Sequence, residues 1–169
     1  MEIKDKKTKY TPIKKINNNS VVIMWDYTPI TTTNAKGEII ETPLAIWQEK
    51  RFNHIPSPQE IKNTINDYYN QIVDKKILTE FVWKNMNVWL STENQFNYKA
   101  AYDLAVQYNG ETLPITFKFD NGTDSIFYEF KTLEDLTDFY LQAIKHIQHC
   151  LEYGWMKKNE IDWSFYHLN

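Results

Sequence analysis

The residues best suited to chemistry by type and spacing are His146, His149 and Cys150, which lie close together near the end of the chain. In a helix, residues four apart sit on adjacent turns, so His146 and Cys150 have a spacing that metal ligands use. On a helical wheel, however, Cys150 falls on the apolar face, His146 at its edge and His149 on the polar side. Because the three side chains diverge, we predict a structural cysteine and surface histidines, with no metal and no cofactor.

Other catalytic patterns are missing from the sequence. A Ser or Cys nucleophile usually sits in a strained turn or a recognisable local signature, and neither is present. The four glycines form no phosphate-binding loop. Glu134, Asp135 and Asp138 cluster where a helix is predicted to begin, and acidic residues there complement the helix dipole. We therefore expect a protein that is not an enzyme and has no catalytic residues, with an unrecognised hydrolase kept as an alternative.

The elements that position these residues follow a regular order from residue 57. The capping box Ser57-Pro58-Gln59-Glu60 predicts a helix over about 58–76. Two apolar runs within 78–91 predict a hairpin, and alternating apolar residues within 113–130, around Asn121-Gly122, predict another. Two further helices complete the α-ββ-α-ββ-α order, which predicts an α+β fold.

The caps of these two helices are predicted from polar residues followed by acids or amides. Thr92 with Gln95 fits a capping box, and Gly110 is expected to end that helix. Thr132 is expected to cap the last helix and Gly154 to end it. On the helix from Thr92 the wheel places five residues on a core arc, while Phe96 and Val106 fall outside it; the arc comprises Tyr98, Ala101, Leu104, Ala105 and Tyr108.

Residues 1–56 read as an arm with short β elements. Extended, β-branched runs at 20–27, 38–42 and 44–48 alternate with turn residues. From residue 20 onward, three prolines restrict this segment to edge strands or loops: Pro29, Pro43 and Pro56. We therefore predict two parts, an arm over 1–56 and an α+β domain over 57–169 whose apolar C-terminal tail is packed.

Charge and composition narrow the possible partners. Residues 1–20 carry a net charge of +4 within a chain of net charge −3, so a basic arm precedes an acidic body. Such an arm could dock on a neighbouring subunit or touch nucleic acid, or simply be solvated. Arg51 is the single arginine, which argues against nucleic-acid recognition. No apolar run suits a signal peptide or a membrane span, so we expect a protein made in a reducing cytoplasm and not bound to a membrane.

Aromatic residues are more numerous than one core of this size requires. The chain has six Trp, eleven Tyr and nine Phe, and such residues are enriched at protein interfaces. We predict that some of them contact a partner protein and that the chain forms a homo-oligomer. The predicted interface residues are Trp25, Tyr27 and Trp47 in the arm, and Phe96, Trp155 and Trp163 in the domain.

Three stretches carry a resemblance to a known family: "FVWKNMNVWLSTENQFNYKAAYDLA" at 81–105, "LPITFKF" at 113–119, and "FYEFKTLEDLTDFYLQAIKHIQHCLEYGW" at 127–155. Together they resemble a domain of unknown function from phage and prophage proteins, frequent in Bacteroides and similar to the C-terminal domain of some tail-fibre and virion-associated proteins. A looser match extends over 55–78. The family has no assigned catalytic residues.

The resemblance implies a structural protein of a bacteriophage virion, from a crAss-like phage of Bacteroides. The AT-rich codon bias behind the many Lys, Asn and Ile residues agrees with that source. An adaptor or base that attaches a head fibre or tail fibre suits the small size and the lack of repeats. The alternatives are a non-virion assembly chaperone for a tail fibre and a small host-modulating binding protein.

Overall fold

Long extended runs of β-branched and aromatic residues form an antiparallel sheet in the first part of the chain. The structure is a computed structural model and describes residues 3–5 and 10–167. The strands pair in the order β1-β4-β3-β2. Their bounds are β1 Ile3–Asp5, β2 Ile13–Asn17, β3 Ser20–Thr33 and β4 Ile39–Phe52.

The hairpin of β3 and β4 is longer than the sequence suggested, since each strand has 14 residues. Its turn is closed by the Asn34 side chain, which accepts hydrogen bonds from the backbone N–H of Lys36 and of Glu38 at 2.9 and 3.0 Å. Pro29 lies inside β3, but at that position the described ladder pairs β3 with β4 only. A residue without an N–H is tolerated there because no second strand needs its donor.

The second part of the chain confirms the predicted α-ββ-α-ββ-α order and the α+β class. A second antiparallel sheet has the order β5-β6-β7-β8. The elements are α1 Pro58–Thr79, β5 Phe81–Trp83, β6 Met86–Val88, α2 Thr92–Gln107, β7 Ile115–Asp120, β8 Ser125–Phe130, α3 Leu133–Asn159 and a short 3-10 helix Trp163–Tyr166.

The helix starts follow from local capping. The hydroxyl oxygen of Ser57 accepts from the N–H of Glu60, and that of Thr132 accepts from the N–H of Asp135, as predicted. The cap of α2 is Ser91, one residue before the predicted Thr92, since the Ser91 hydroxyl accepts from the N–H of Asn94. A hydroxyl can serve as cap only where its own backbone is still extended, and Ser91 has that conformation.

Two expectations for the helices are wrong. Leu104 and Tyr108, assigned to the core arc of α2, are exposed, and Tyr102 packs against the core instead. Helix α3 does not end at Gly154 but continues to Asn159. Gly154 is buried within α3, and a Cβ there would overlap the Cγ2 atom of Val73 on α1. This glycine is therefore needed for the close approach of two helices and not for a helix end.

The chain divides into two compact units. We call Met1–Asp67 with Ile161–Asn169 the N-terminal unit and Tyr68–Glu160 the central unit. This division differs from the predicted 1–56 and 57–169, because the boundary lies within α1 and the last residues group with the first. Within the N-terminal unit, the Tyr166 hydroxyl donates to the carbonyl oxygen of Met24 at 2.8 Å, which anchors the tail.

The core of the central unit consists of residues from its sheet, α2 and α3. Trp83 is its centre, with ring centroids of Phe119, Tyr128, Phe130 and Phe139 at 5.0–6.2 Å. The buried members are Phe81, Trp83, Met86, Val88, Leu90, Tyr98, Ala105, Phe119, Phe130, Leu136, Phe139 and Ala143.

Candidate protein-binding surface

The structure separates the six predicted interface residues into buried and exposed groups. Trp25 and Trp47 are 5% and 2% exposed, so burial in the chain itself removes them from the accessible surface. Trp47 packs with Met24 and Ala45 in the small core of the N-terminal sheet. In this chain both side chains are covered, because β3 and β4 form a packed sheet there, and their role as anchors for a partner stays a prediction. Tyr27, Phe96 and Trp155 are exposed, and Trp163 is half-buried.

Phe96 stands at the rim of an apolar groove between α2 and α3. The groove has a volume of about 200 Å³, and we call it the Phe96 groove. Its lining residues are Leu90, Gln95, Phe96, Tyr98, Lys99, Tyr140, Ala143, Ile144 and Ile147. Phe96 is 71% exposed, and Ile144 is also exposed. The groove is thus lined by the Phe96 side chain of α2 and by an apolar strip on α3.

Local hydrogen bonds and ring stacking hold the groove in place. The Gln95 amide nitrogen donates to the carbonyl oxygen of Leu90 at 2.8 Å, which ties the first turn of α2 to the preceding segment. Further along, the rings of Tyr102 and Tyr140 stack with centroids 4.5 Å apart, which joins α2 to α3. These contacts within the chain hold both walls of the groove in place.

A lysine at the rim adds a charge to this apolar surface. Lys99 donates to the Asp103 carboxylate, and this hydrogen bond raises the pKa of Lys99 above its usual value. Lys99 therefore stays a cation throughout the neutral range. The pair defines a polar border beside the apolar strip, as protein interfaces commonly have.

The acidic cluster predicted at the start of α3 has a structural role that the sequence did not reveal. The Tyr128 hydroxyl donates to Asp135 at 2.6 Å, and the Lys84 ammonium donates to both groups. The Trp83 indole N–H donates to Asp138 at 2.9 Å and lowers the pKa of that carboxyl. Lys84 lies in the two-residue turn between β5 and β6, where its φ is positive. These contacts fasten that turn to α3. No local sequence pattern predicts them, because the partners are far apart in the chain.

The pair His146 and Cys150 is also explained by packing. His146 Nε2 donates to the carbonyl oxygen of Lys76 at 3.1 Å and lies 3.6 Å from Cys150 Sγ. Burial raises the pKa of the Cys150 thiol, which disfavours the nucleophilic thiolate. Within residues 3–5 and 10–167, no three His, Cys, Asp or Glu side chains are grouped in a way that could hold a metal ion. Over the same residues, no helix is both long and apolar enough to cross a membrane.

The two sheets and the three long helices define this chain as a small α+β protein, with an exposed apolar groove on its central unit. Its sequence matches the model of the domain of unknown function DUF4376 over residues 60–166. The match runs from the first turn of α1 to the end of the 3-10 helix, so the chain belongs to this family. No curated protein and no solved structure is significantly similar to it.

Proposed function

We propose that this protein is a structural component of a bacteriophage particle, an adaptor or base that attaches a head fibre or tail fibre through the Phe96 groove. The observation that carries the proposal is the 71% exposure of Phe96 beside an apolar groove. A phenylalanine in that position contributes no core packing, whereas its burial by a partner would contribute about 25 cal/mol for each Å² of apolar surface covered.

The geometry of the groove suits an anchor contact. Its volume of about 200 Å³ has room for one or two apolar side chains of a partner, flanked by Phe96 and Ile144. Leu141, on the same helix as Ile144, is exposed as well and extends the apolar area. A few such aromatic and aliphatic contacts carry most of the affinity in protein interfaces, while a polar border keeps water out.

The phage assignment itself is supported by the resemblance of residues 81–105, 113–119 and 127–155 to domains of tail-fibre and virion-associated proteins. A crAss-like phage of Bacteroides is the source we propose, and the virion is the proposed location. The basic arm predicted for 1–20 is proposed to dock on a neighbouring subunit; residues 1–2 and 6–9 of it lie outside the part of the chain that the structure describes.

The test compares Phe96→Ala with Phe127→Ala. The two phenylalanines are matched, being 71% and 70% exposed, but Phe127 lies on β8 and outside the groove. In phage that carry each variant, quantitative mass spectrometry of purified particles measures incorporation of the chain. We expect Phe96→Ala to lower incorporation at least tenfold, which corresponds to about 1.4 kcal/mol, and Phe127→Ala to leave it unchanged. Equal incorporation of both variants would refute the role of the groove.

The wild-type chain distinguishes the alternative functions in the same preparation. Stoichiometric presence in particles supports a structural role. Presence in infected cells with absence from particles would instead indicate an assembly chaperone or a host-directed binding protein. Light scattering after size exclusion tests the proposed homo-oligomer, and a monomer at high concentration would contradict self-assembly.

A further inference from the structure

We propose that the open edge of β7 binds an extended peptide segment of a partner protein as an added strand, at a site that shares only the lining residue Tyr98 with the Phe96 groove. The two edges of β7 differ. On one side it pairs with β8 at six positions, from Ile115 with Phe130 to Asp120 with Ser125. On the other side the ladder with β6 has a single pair, Asn87 with Asp120.

The reason for this difference is that β6 ends at Val88 and the chain then turns into α2. A continued β6 would have met the remaining residues of β7. Instead, a groove of about 660 Å³ lies beside them, within the volume range of about 300–1,000 Å³ typical of ligand sites. We call it the β7 groove. Its lining residues are Asn87, Trp89, Asn94, Asn97, Tyr98, Ala101, Ile115, Thr116, Phe117, Lys118, Phe119, Asp120 and Ser125.

The walls of the β7 groove offer different chemistry. Helix α2 contributes Asn97, an exposed amide that can both donate and accept hydrogen bonds. Between α2 and the strand, the rings of Tyr98 and Phe117 meet with centroids 4.7 Å apart and give an aromatic surface. Trp89 directly follows β6 and is 53% exposed. The groove thus combines a strand edge, amides and aromatic rings.

An extended peptide fits this combination better than other ligands. The edge of a strand presents N–H and C=O groups at a regular spacing, and a second strand satisfies them in sequence. Alternate side chains of the bound strand would face the aromatic surface. The Asn97 amide could form hydrogen bonds with the edge of the bound strand that faces away from β7. Lys118 is exposed on β7, so an acidic residue opposite it would form a favourable cross-strand pair.

The position of this edge also explains why it can stay open. Exposed sheet edges tend to pair with other sheets and cause aggregation. Here Trp89 and residues of α2 line the groove beside the edge, so we expect them to hinder the approach of a whole sheet more than that of a single short strand.

The first test uses a displayed library of random eight-residue peptides, selected against the purified full-length chain. We expect enriched peptides with alternating apolar residues and an acidic position, and binding of the synthetic peptide by calorimetry. N-methylation of its backbone one residue at a time should then lower affinity at least tenfold at alternate positions, because only every second N–H faces β7. Tolerance of N-methylation at all positions would overturn strand addition.

Matched variants locate the binding site. Asn97→Arg places a long side chain in the β7 groove and should lower peptide affinity at least tenfold. Val106→Arg is the control, since Val106 is exposed on the opposite face of α2. Phe96→Ala should also leave peptide affinity unchanged, which separates this site from the proposed function. Equal effects of both arginine variants, or binding of a panel of neutral oligosaccharides without binding of any peptide, would refute the proposal.

Discussion

The N-terminal unit and the central unit each bury a tryptophan whose indole donates to a carboxylate, yet the surroundings of the two differ. Trp47 in the N-terminal unit donates to Glu49 at 3.3 Å and has the rings of Tyr10 and Tyr27 nearby. Trp83 in the central unit donates to Asp138 at 2.9 Å and is enclosed by four aromatic rings. The core of the central unit is thus centred on one tryptophan, whereas Trp47 lies in a small cluster and the N-terminal unit buries further apolar side chains on its strands and on α1, among them Val21, Ile23 and Ile61.

The far end of the β3–β4 hairpin shows what this difference means. Thr31 to Thr33 pair with residues 39–41, and the described ladders join no third strand there. Ile39 at this end is 77% exposed. A two-stranded ribbon without a covering layer is only marginally stable, so we expect most of the stability to come from elements covered by a helix.

The largest effect should come from truncating the buried tryptophans Trp47 and Trp83. Truncation of a buried Trp to Ala costs about 3–5 kcal/mol. We expect Trp83→Ala to lie at the upper end and Trp47→Ala at the lower end, because Trp83 is the centre of a large aromatic core and Trp47 packs in a small cluster. Urea denaturation measures the free energy of unfolding, and hydrogen exchange assigns the loss to each unit. Trp155→Ala, at an exposed site, should change the free energy by less than about 0.5 kcal/mol. Equal losses of unfolding free energy for Trp47→Ala and Trp83→Ala would contradict the expected difference between the units.

A smaller loss is expected where two helices of the central unit approach closely. Gly154→Ala gains about 1 kcal/mol of helix propensity but overpacks against Val73, which costs about 1–3 kcal/mol. We expect a net loss of about 1 kcal/mol in urea denaturation. In a Val73→Ala background the same substitution should be neutral or stabilising, since the overlapping methyl group is gone. An unchanged effect in that background would show that Val73 is not the cause.

The smallest effect concerns acid pH. The Trp83 indole lowers the pKa of Asp138 in the central unit, and the Ser164 hydroxyl lowers that of Asp162 in the N-terminal unit. A lowered pKa means that the carboxylate stabilises the folded state above the ordinary value of about 3.9, and that this contribution is lost as pH falls through the lower folded pKa. With Asp138→Asn, the stability of the central unit should therefore fall less steeply as the pH is lowered. Asp162→Asn should have the same effect on the stability of the N-terminal unit. Hydrogen exchange between pH 5 and 3, corrected for intrinsic rates, measures both, and identical profiles for wild type and variants would contradict the assignment.

Local signals in the sequence predicted much of the central unit. Ser57 and Thr132 cap helices where expected, and Ile115, Phe117 and Phe119 face the core in alternation opposite Phe130, Tyr128 and Ile126. Such features depend on a few consecutive residues, which is why a pattern can reveal them. The candidate site was predicted in part: Phe96 was recognised as outside the core arc, whereas the open edge of β7 depends on where β6 ends and had no local signal.

What the sequence by itself determined is the order of helices and hairpins, the α+β class and the membership in a domain family of unknown function. Caps, turns and alternation act over neighbouring residues, so they are written in the chain itself. Only the tertiary structure decided which side chains are covered, since burial depends on the element packed opposite. That is why Trp25 and Trp47 are buried, why Gly154 lies within a continuous helix against Val73, and why Phe96 remains exposed.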